Sequence, residues 1–239
     1  MKNYKIKKIL LYIILGILIL YIILQFKHYK KIEQFDKNNI VLNVHQTYKN
    51  KKLPSNLNFC KNSVHKYMKN YKYYFWTDND IYLLINKKYP EYLELYNSLT
   101  PKIKKIDFAK YLIIYEYGGF YIDLDMEIFK NPTDLLTHNV IIGSPAIFYS
   151  IQKHPFWLKV FDYIKIKKDL HVLKATGPEC LINVHKKYNS QDVKILDEKI
   201  FFPIPYVSHK QEKCIKEKNC RKKYLKKSYG CHQYEGSWL

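Results

Sequence analysis

The chain has 239 residues, 47% hydrophobic, 26% charged and 16% aromatic, with 41 basic against 21 acidic side chains and a formal net charge of +20. Those proportions exclude a disordered tail, a collagen-like chain and a polytopic transporter, and they leave enough sequence for one domain with a sizeable core. The charge alone would suit nucleic acid, but every basic residue except Arg221 is lysine, whereas base-edge recognition favours the planar guanidinium; no nucleic-acid partner is expected, and the lysines suit anionic lipid or sugar diphosphates better.

Residues 1–8 are a short basic arm. Residues 9–24 are all apolar or tyrosine, and with Gln25 and Phe26 a helix would cover about 27 Å, just enough to cross a bilayer core. A cleavable signal peptide is the alternative, but the run exceeds an h-region and no small-residue cleavage site follows it. The expected organisation is therefore a transmembrane anchor at 9–26, a stalk at 27–39 and one domain at 40–239. The short N-terminal arm favours a single-pass, type II orientation. Five cysteines cannot all pair with one another, and Cys214, Cys220 and Cys231 beside His232 lack the spacing of a zinc knuckle.

Along the domain, strands and helices alternate. Strands are expected at 40–44, 71–76, 120–122, 126–129, 140–142, 146–149, 193–196 and 200–202. Helices are expected at 55–70 with Ser55 as cap, from the Thr77–Asp80 turn to Pro90, and at 91–98, 102–117, 155–167 and 178–188. The alternation predicts an α/β fold with a mainly parallel central sheet, whose ligands gather at the carboxyl ends of strands. Glycine is scarce, seven in all, so the adjacent Gly118 and Gly119 mark a backbone requirement between helix and strand.

Beyond that glycine pair, Asp123 and Asp125 follow an apolar strand two residues apart. Both can reach a divalent cation if the chain bends there, and hard oxygen donors suit Mn²⁺ or Mg²⁺. Asp107 and Lys110, three apart, share a face of the preceding helix; an ordinary surface ion pair and a contact with sugar hydroxyls are both open. His45 and Gln46 at a strand end either satisfy buried backbone groups or lie beside a nucleotide. His154-Pro155 reads as a helix start, and Thr176-Gly177-Pro178 as a turn or a ligand contact.

Asp107 to Asp125, with Tyr117-Gly118-Gly119 between them, resembles the D-x-x-R…Y-G-G-x-Y-x-D-x-D core of glycosyltransferase family 32. Val44-His45-Gln46-Thr47-Tyr48, Leu53-Pro54, Phe75-Trp76-Thr77-Asp78, His154-Pro155-Phe156, Thr176-Gly177-Pro178 and His232…Gly236-Ser237-Trp238 match further family segments in order. The resemblance implies a GT-A-type nucleotide-sugar-binding fold and a retaining hexosyltransferase, with Mn²⁺ or Mg²⁺ as cofactor. Its partners would be a nucleotide-diphosphate sugar (GDP-mannose or a UDP-hexose), a glycan or glycolipid acceptor, and a Golgi/ER-type or equivalent membrane. By matching position, Asp123 and Asp125 would hold the metal and act in catalysis, with His232 as a further ligand. Asp107, Lys110, Tyr121, Gly119, His45 and Gln46 would contact the donor, and Ser237 and Trp238 would close over its diphosphate. Lys110 departs from the family's arginine, giving a point charge where a planar fork is usual. A catalytically weak sugar-nucleotide or glycan-binding protein on the same fold is the alternative.

Overall fold

The computed structural model describes residues 12, 14–20, 40–204 and 226–235. The described part of 9–26 is exposed and helical at 14–20, and among the described residues no helix is long and apolar enough to cross a membrane. The rest of the expected anchor and the stalk to residue 39 lie outside the described residues.

A six-stranded sheet organises the domain. In chain order its strands are β1 (Asn43–Tyr48), β2 (Lys72–Thr77), β3 (Gly119–Ile122), β5 (Val140–Ser144), β6 (Ile147–Ser150) and β7 (Val193–Ile195), arranged β2-β1-β3-β6-β5-β7. β1 is parallel to both β2 and β3, and β5 to β7; β6 alone runs antiparallel to its neighbours. The sheet is thus mainly parallel, as expected. The exception follows from chain length: Pro145 and Ala146 separate β5 from β6, far too few residues for a crossover, so the two must form a hairpin.

Among the described residues of the domain, the α-helices in chain order are α1 (Ser55–Tyr67), α2 (Asp78–Lys88), α3 (Leu93–Ser98), α4 (Lys102–Tyr117), α5 (Pro155–Lys167), α6 (Val172–Ala175) and α7 (Pro178–Tyr188). Strand residues alternate between two apolar layers, the period of two that a pleated strand imposes. Tyr121, Val140, Ile142 and Phe148 pack with α4, α5 and α7 around Trp157 and Phe108. Phe120, Ile122, Ile141, Ile147 and Tyr149 pack against Val64 and Met68 on the other side. Helix α4 is buried on nearly every side from Phe108 to Ile114, which is why its sequence lacks a polar stripe.

Several expectations need correction. β1 extends to Tyr48 instead of stopping at Val44. Ser55 does not cap its helix; Pro54 occupies that position without a side-chain bond. The strand expected at 200–202 is replaced by a 3-10 turn at Glu198–Ile200 capped by Asp197. Two short strands, β4 (Met126–Ile128) and β8 (Gly230–His232), form a separate antiparallel ribbon.

The glycine pair joins α4 to β3. Gly118 and Gly119 have φ of 61° and 94°, and a Cβ on Gly119 would lie 2.3 Å from the Asn43 carbonyl oxygen of β1. Both the left-handed backbone and the close approach exclude a side chain. Gly119→Ala is expected to lower unfolding free energy by about 2 kcal/mol or more, read from urea denaturation; a neutral result would show that β1 and β3 can separate freely.

Candidate active site

The carboxyl ends of β1 and β3 meet the β4–β8 ribbon, and there the acidic turn forms. Asp123 N–H donates to the Ala146 carbonyl at 2.8 Å and Met126 N–H to the Asp123 carbonyl at 3.0 Å, closing a tight turn over Leu124. The turn directs Asp123 and Asp125 to the same side. In the ribbon, Met126 pairs with His232, so the imidazole arrives beside Asp125, with Nε2 3.2 Å from Oδ1. Ligand atoms of Asp123, Asp125 and His232 all lie within 4.8 Å of one another.

Lys110 is the cation of this site. Its ammonium is 3.0 Å from Asp123 Oδ1 and 3.3 Å from Asp107 Oδ1, and it lies over the Tyr121 ring. Asp107 and Lys110 are each only 4% exposed, so the surface ion-pair alternative does not hold. Asp107 also accepts a 2.8 Å bond from Thr176 Oγ1, and Tyr111 O–H donates to the Thr176 carbonyl at 2.6 Å. Tyr121 hydroxyl donates to Asp123 Oδ1 at 2.9 Å and meets Thr47 Oγ1 at 2.8 Å. Three elements thus brace one carboxylate.

Burial pushes the Asp107 and Asp123 carboxyls up, with Lys110 opposing it. Burial also acts against the Lys110 ammonium, but Asp123, Tyr121 and Asp107 outweigh it and hold its pKa well above the ordinary lysine value. For Asp125 burial is outweighed by the hydrogen bond with His232, which keeps the carboxyl below the ordinary range. These are the coupled burial and charge effects that accompany reactive clusters.

The donor set fits a divalent cation. Three carboxylates face one lysine, leaving an excess of negative charge, and Asp123 and Asp125 retain 24% and 18% of their side-chain exposure. Two carboxylates suit Mg²⁺ or Mn²⁺, and the adjoining imidazole favours a transition metal. His232 Nδ1 is buried with no hydrogen-bond partner among the described residues, and Nε2 is the ring atom that faces the carboxylates.

His45 and Gln46 lie one layer further in. Trp76 Nε1–H donates to His45 Nδ1 at 3.1 Å, and His45 Nε2 meets the Gly118 carbonyl at 3.0 Å. Together these set a neutral tautomer with Nε2 as donor. Gln46 Nε2 donates to the Asp123 carbonyl at 3.4 Å, and Gln46 Oε1 accepts from the Tyr73 hydroxyl at 3.0 Å. Both residues hold the glycine turn and the acidic turn from within β1. His154 caps α5 with Nδ1 and meets Asp192 at 2.7 Å through Nε2, as a helix start requires. Ser237 and Trp238 lie outside the described residues.

Burial pushes the His45 imidazole down to about 4 from 6.5. The unfolded chain therefore takes up this proton first: the stability is fully present above pH 6.5 and is lost as pH falls toward 4. Urea denaturation is expected to show a loss of about 1.4 kcal/mol per pH unit across that window, about 3 kcal/mol in all. A His45→Gln variant should lack this increment of acid sensitivity.

Sequence spacing did not reveal the bond between Lys110 and Asp123, the Thr47–Tyr121–Asp123 chain, or the seat of Asp107 on Thr176. Nor did it reveal that Gln233 N–H and Glu235 N–H both donate to Asp125, to its carbonyl at 2.8 Å and its Oδ2 at 3.3 Å.

An α/β domain presenting a D-x-D turn and a histidine at the carboxyl edge of its sheet defines the class. Residues 54–142 match the family described as the glycosyltransferase sugar-binding region containing the DXD motif. An uncharacterized glycosyltransferase of Acanthamoeba polyphaga mimivirus is 30% identical, covering 63% of this chain and 67% of that protein. The chain belongs to this DXD-containing glycosyltransferase family. A mannosyl phosphorylinositol ceramide synthase of Saccharomyces cerevisiae is 28% identical over 61% of this chain and 41% of its own length. An inositol phosphoceramide mannosyltransferase of Schizosaccharomyces pombe is 30% identical over 61% and 51%. The chain thus spans about half the length of these yeast relatives.

Proposed function

We propose that this chain is a membrane-anchored, metal-dependent, retaining hexosyltransferase of GT-A type. In this reading it moves mannose from a nucleotide-diphosphate sugar to a glycolipid or glycan acceptor. The observation that carries the reading is the convergence of Asp123, Asp125 and His232 within 4.8 Å, beside a buried lysine held between two carboxylates. The names of the yeast relatives support mannose and an inositol-phosphoceramide-like acceptor.

Asp123, Asp125 and His232 would hold Mn²⁺, or Mg²⁺. Bound there, the cation supplies positive charge to the diphosphate as it leaves. Asp107 and Lys110 face the sugar side, with Lys110 keeping Asp123 ionised and oriented, while Tyr121 and Gly119 shape the floor. By their match to the family's closing segment, Ser237 and Trp238 would close over the diphosphate. Retention follows if the acceptor hydroxyl attacks on the face the diphosphate leaves, which predicts no covalent glycosyl-enzyme by intact mass. The apolar run at 9–26 supplies the anchor, in a type II orientation in a Golgi/ER-type or equivalent membrane.

The test is release of nucleotide diphosphate from a panel of GDP- and UDP-sugars by the full chain, with a glycolipid acceptor and with Mn²⁺, Mg²⁺ or EDTA. Release from one donor, abolished by EDTA and restored by Mn²⁺, is the expected result. Absence of both release and Mn²⁺-dependent donor binding would overturn the reading.

A further inference from the structure

Exposed aliphatic side chains recur along α5, α6 and α7. Ile166 near the end of α5 is 74% exposed, and Leu170, Leu173 and Ile182 on the following connection, α6 and α7 are 41%, 41% and 40% exposed. These helices pack on one another, and their buried residues, among them Trp157, Ile164, Ala175 and Leu181, face inward. The same stretch, 158–187, carries seven lysines against three carboxylates. Lys165 and Lys174, beside the apolar residues, are exposed.

We propose that α5, α6 and α7 form a docking face for an anionic lipid bilayer. Isolated leucines and isoleucines at a surface are ordinary; aliphatic tips interleaved with lysines are the pattern that enters a headgroup layer, the tips reaching the acyl boundary and the ammonium groups meeting lipid phosphates. A second copy of the chain fits poorly, because it would set lysine against lysine. A nucleic acid leaves the aliphatic tips unused and finds no arginine in the stretch.

Helix α6 runs directly into Thr176, the residue that seats Asp107. A Cβ on Gly177 would lie 2.8 Å from the Leu173 Cα, so the turn carrying Leu173 abuts the segment whose Thr176 holds Asp107. That a lipid acceptor is presented from a bilayer on this face rests on the proposed function; the docking itself does not.

The test is hydrogen exchange on the full chain in nanodiscs of phosphatidylcholine, with and without phosphatidylserine. Amides of 165–174 are expected to exchange at least about fivefold more slowly with phosphatidylserine. Exposed residues of α2, Tyr82 and Leu83, serve as the reference and should not change. High salt, and an Ile166→Glu, Leu173→Glu variant whose substitutions sit at exposed positions, should remove the protection. Equal exchange in both lipids, equal slowing in α2, or protection that follows protein concentration in phosphatidylcholine would each overturn the proposal. Donor cleavage in water reads the transferase separately: its absence sinks the proposed function and leaves the docking result standing, whereas the double variant should cleave donor at the wild-type rate.

Discussion

Asp125→Asn is expected to lower donor turnover on the order of a thousandfold while leaving the fold in place. The substitution removes a charge and almost no volume. Asn retains an oxygen for the Glu235 N–H bond, and the neighbouring turn is closed by backbone groups that do not change. What is lost is one of the two carboxylates that converge with His232, and with it half of the negative charge aimed at a divalent cation. Thermal melting should shift by only a few degrees, because a partly exposed hydrogen bond contributes about 1 kcal/mol. Mn²⁺ binding, followed by electron paramagnetic resonance of the free ion, should weaken together with turnover. Full activity in this variant would show that Asp125 does not hold the metal. Asp123→Asn would be less clean, since it also removes the nearer of the two carboxylates that flank Lys110.

The sequence made the acidic turn legible because its signal is local. Two carboxylates, an apolar strand and a glycine pair lie within eight residues, and local backbone chemistry alone places them. What could not be read depends on contacts between distant segments. Lys110 and Asp107 share a helix face by spacing, but Asp123 reaches the same ammonium only because the glycine pair folds β3 back along α4. His232 meets Asp125 through a three-residue ribbon, too short to carry a strand pattern and separated from its partner by about a hundred residues. The 200–202 segment is apolar like a strand, yet Asp197 accepts from Lys199 N–H and draws the backbone into a 3-10 turn, side-chain chemistry overriding hydropathy. His45 had two readings in sequence, and only the positions of Trp76 and Gly118 show where its two nitrogens go.

Lys110→Met should be the most destabilising exchange in the site, about 3 to 5 kcal/mol at neutral pH. Methionine fills similar space, so the loss reports charge more than packing. It leaves Asp107 and Asp123 facing each other across a buried gap, with their hydrogen bonds from Thr176 and Tyr121 intact but no cation. The pH dependence distinguishes this cause from simple strain. Burial already raises both carboxyls, and without the ammonium they rise further, so the folded variant takes up protons before the unfolded chain does. The deficit should therefore shrink as pH is lowered from 7 to 5, whereas a packing defect would be indifferent to pH. In the wild type the raised Lys110 pKa means that its contribution is fully present at neutral pH and is lost only above the ordinary lysine range. Lys110→Arg restores the charge and adds the family's planar fork, and it should recover most of the stability, since two carboxylates at 3.0 and 3.3 Å already flank the position. Denaturation of the three proteins at pH 7 and pH 5 decides the matter: a Lys110→Met variant as stable as wild type at pH 7 would mean that the buried carboxylates are protonated there, and that Lys110 does not hold Asp123 in the charged form that the proposed metal site needs.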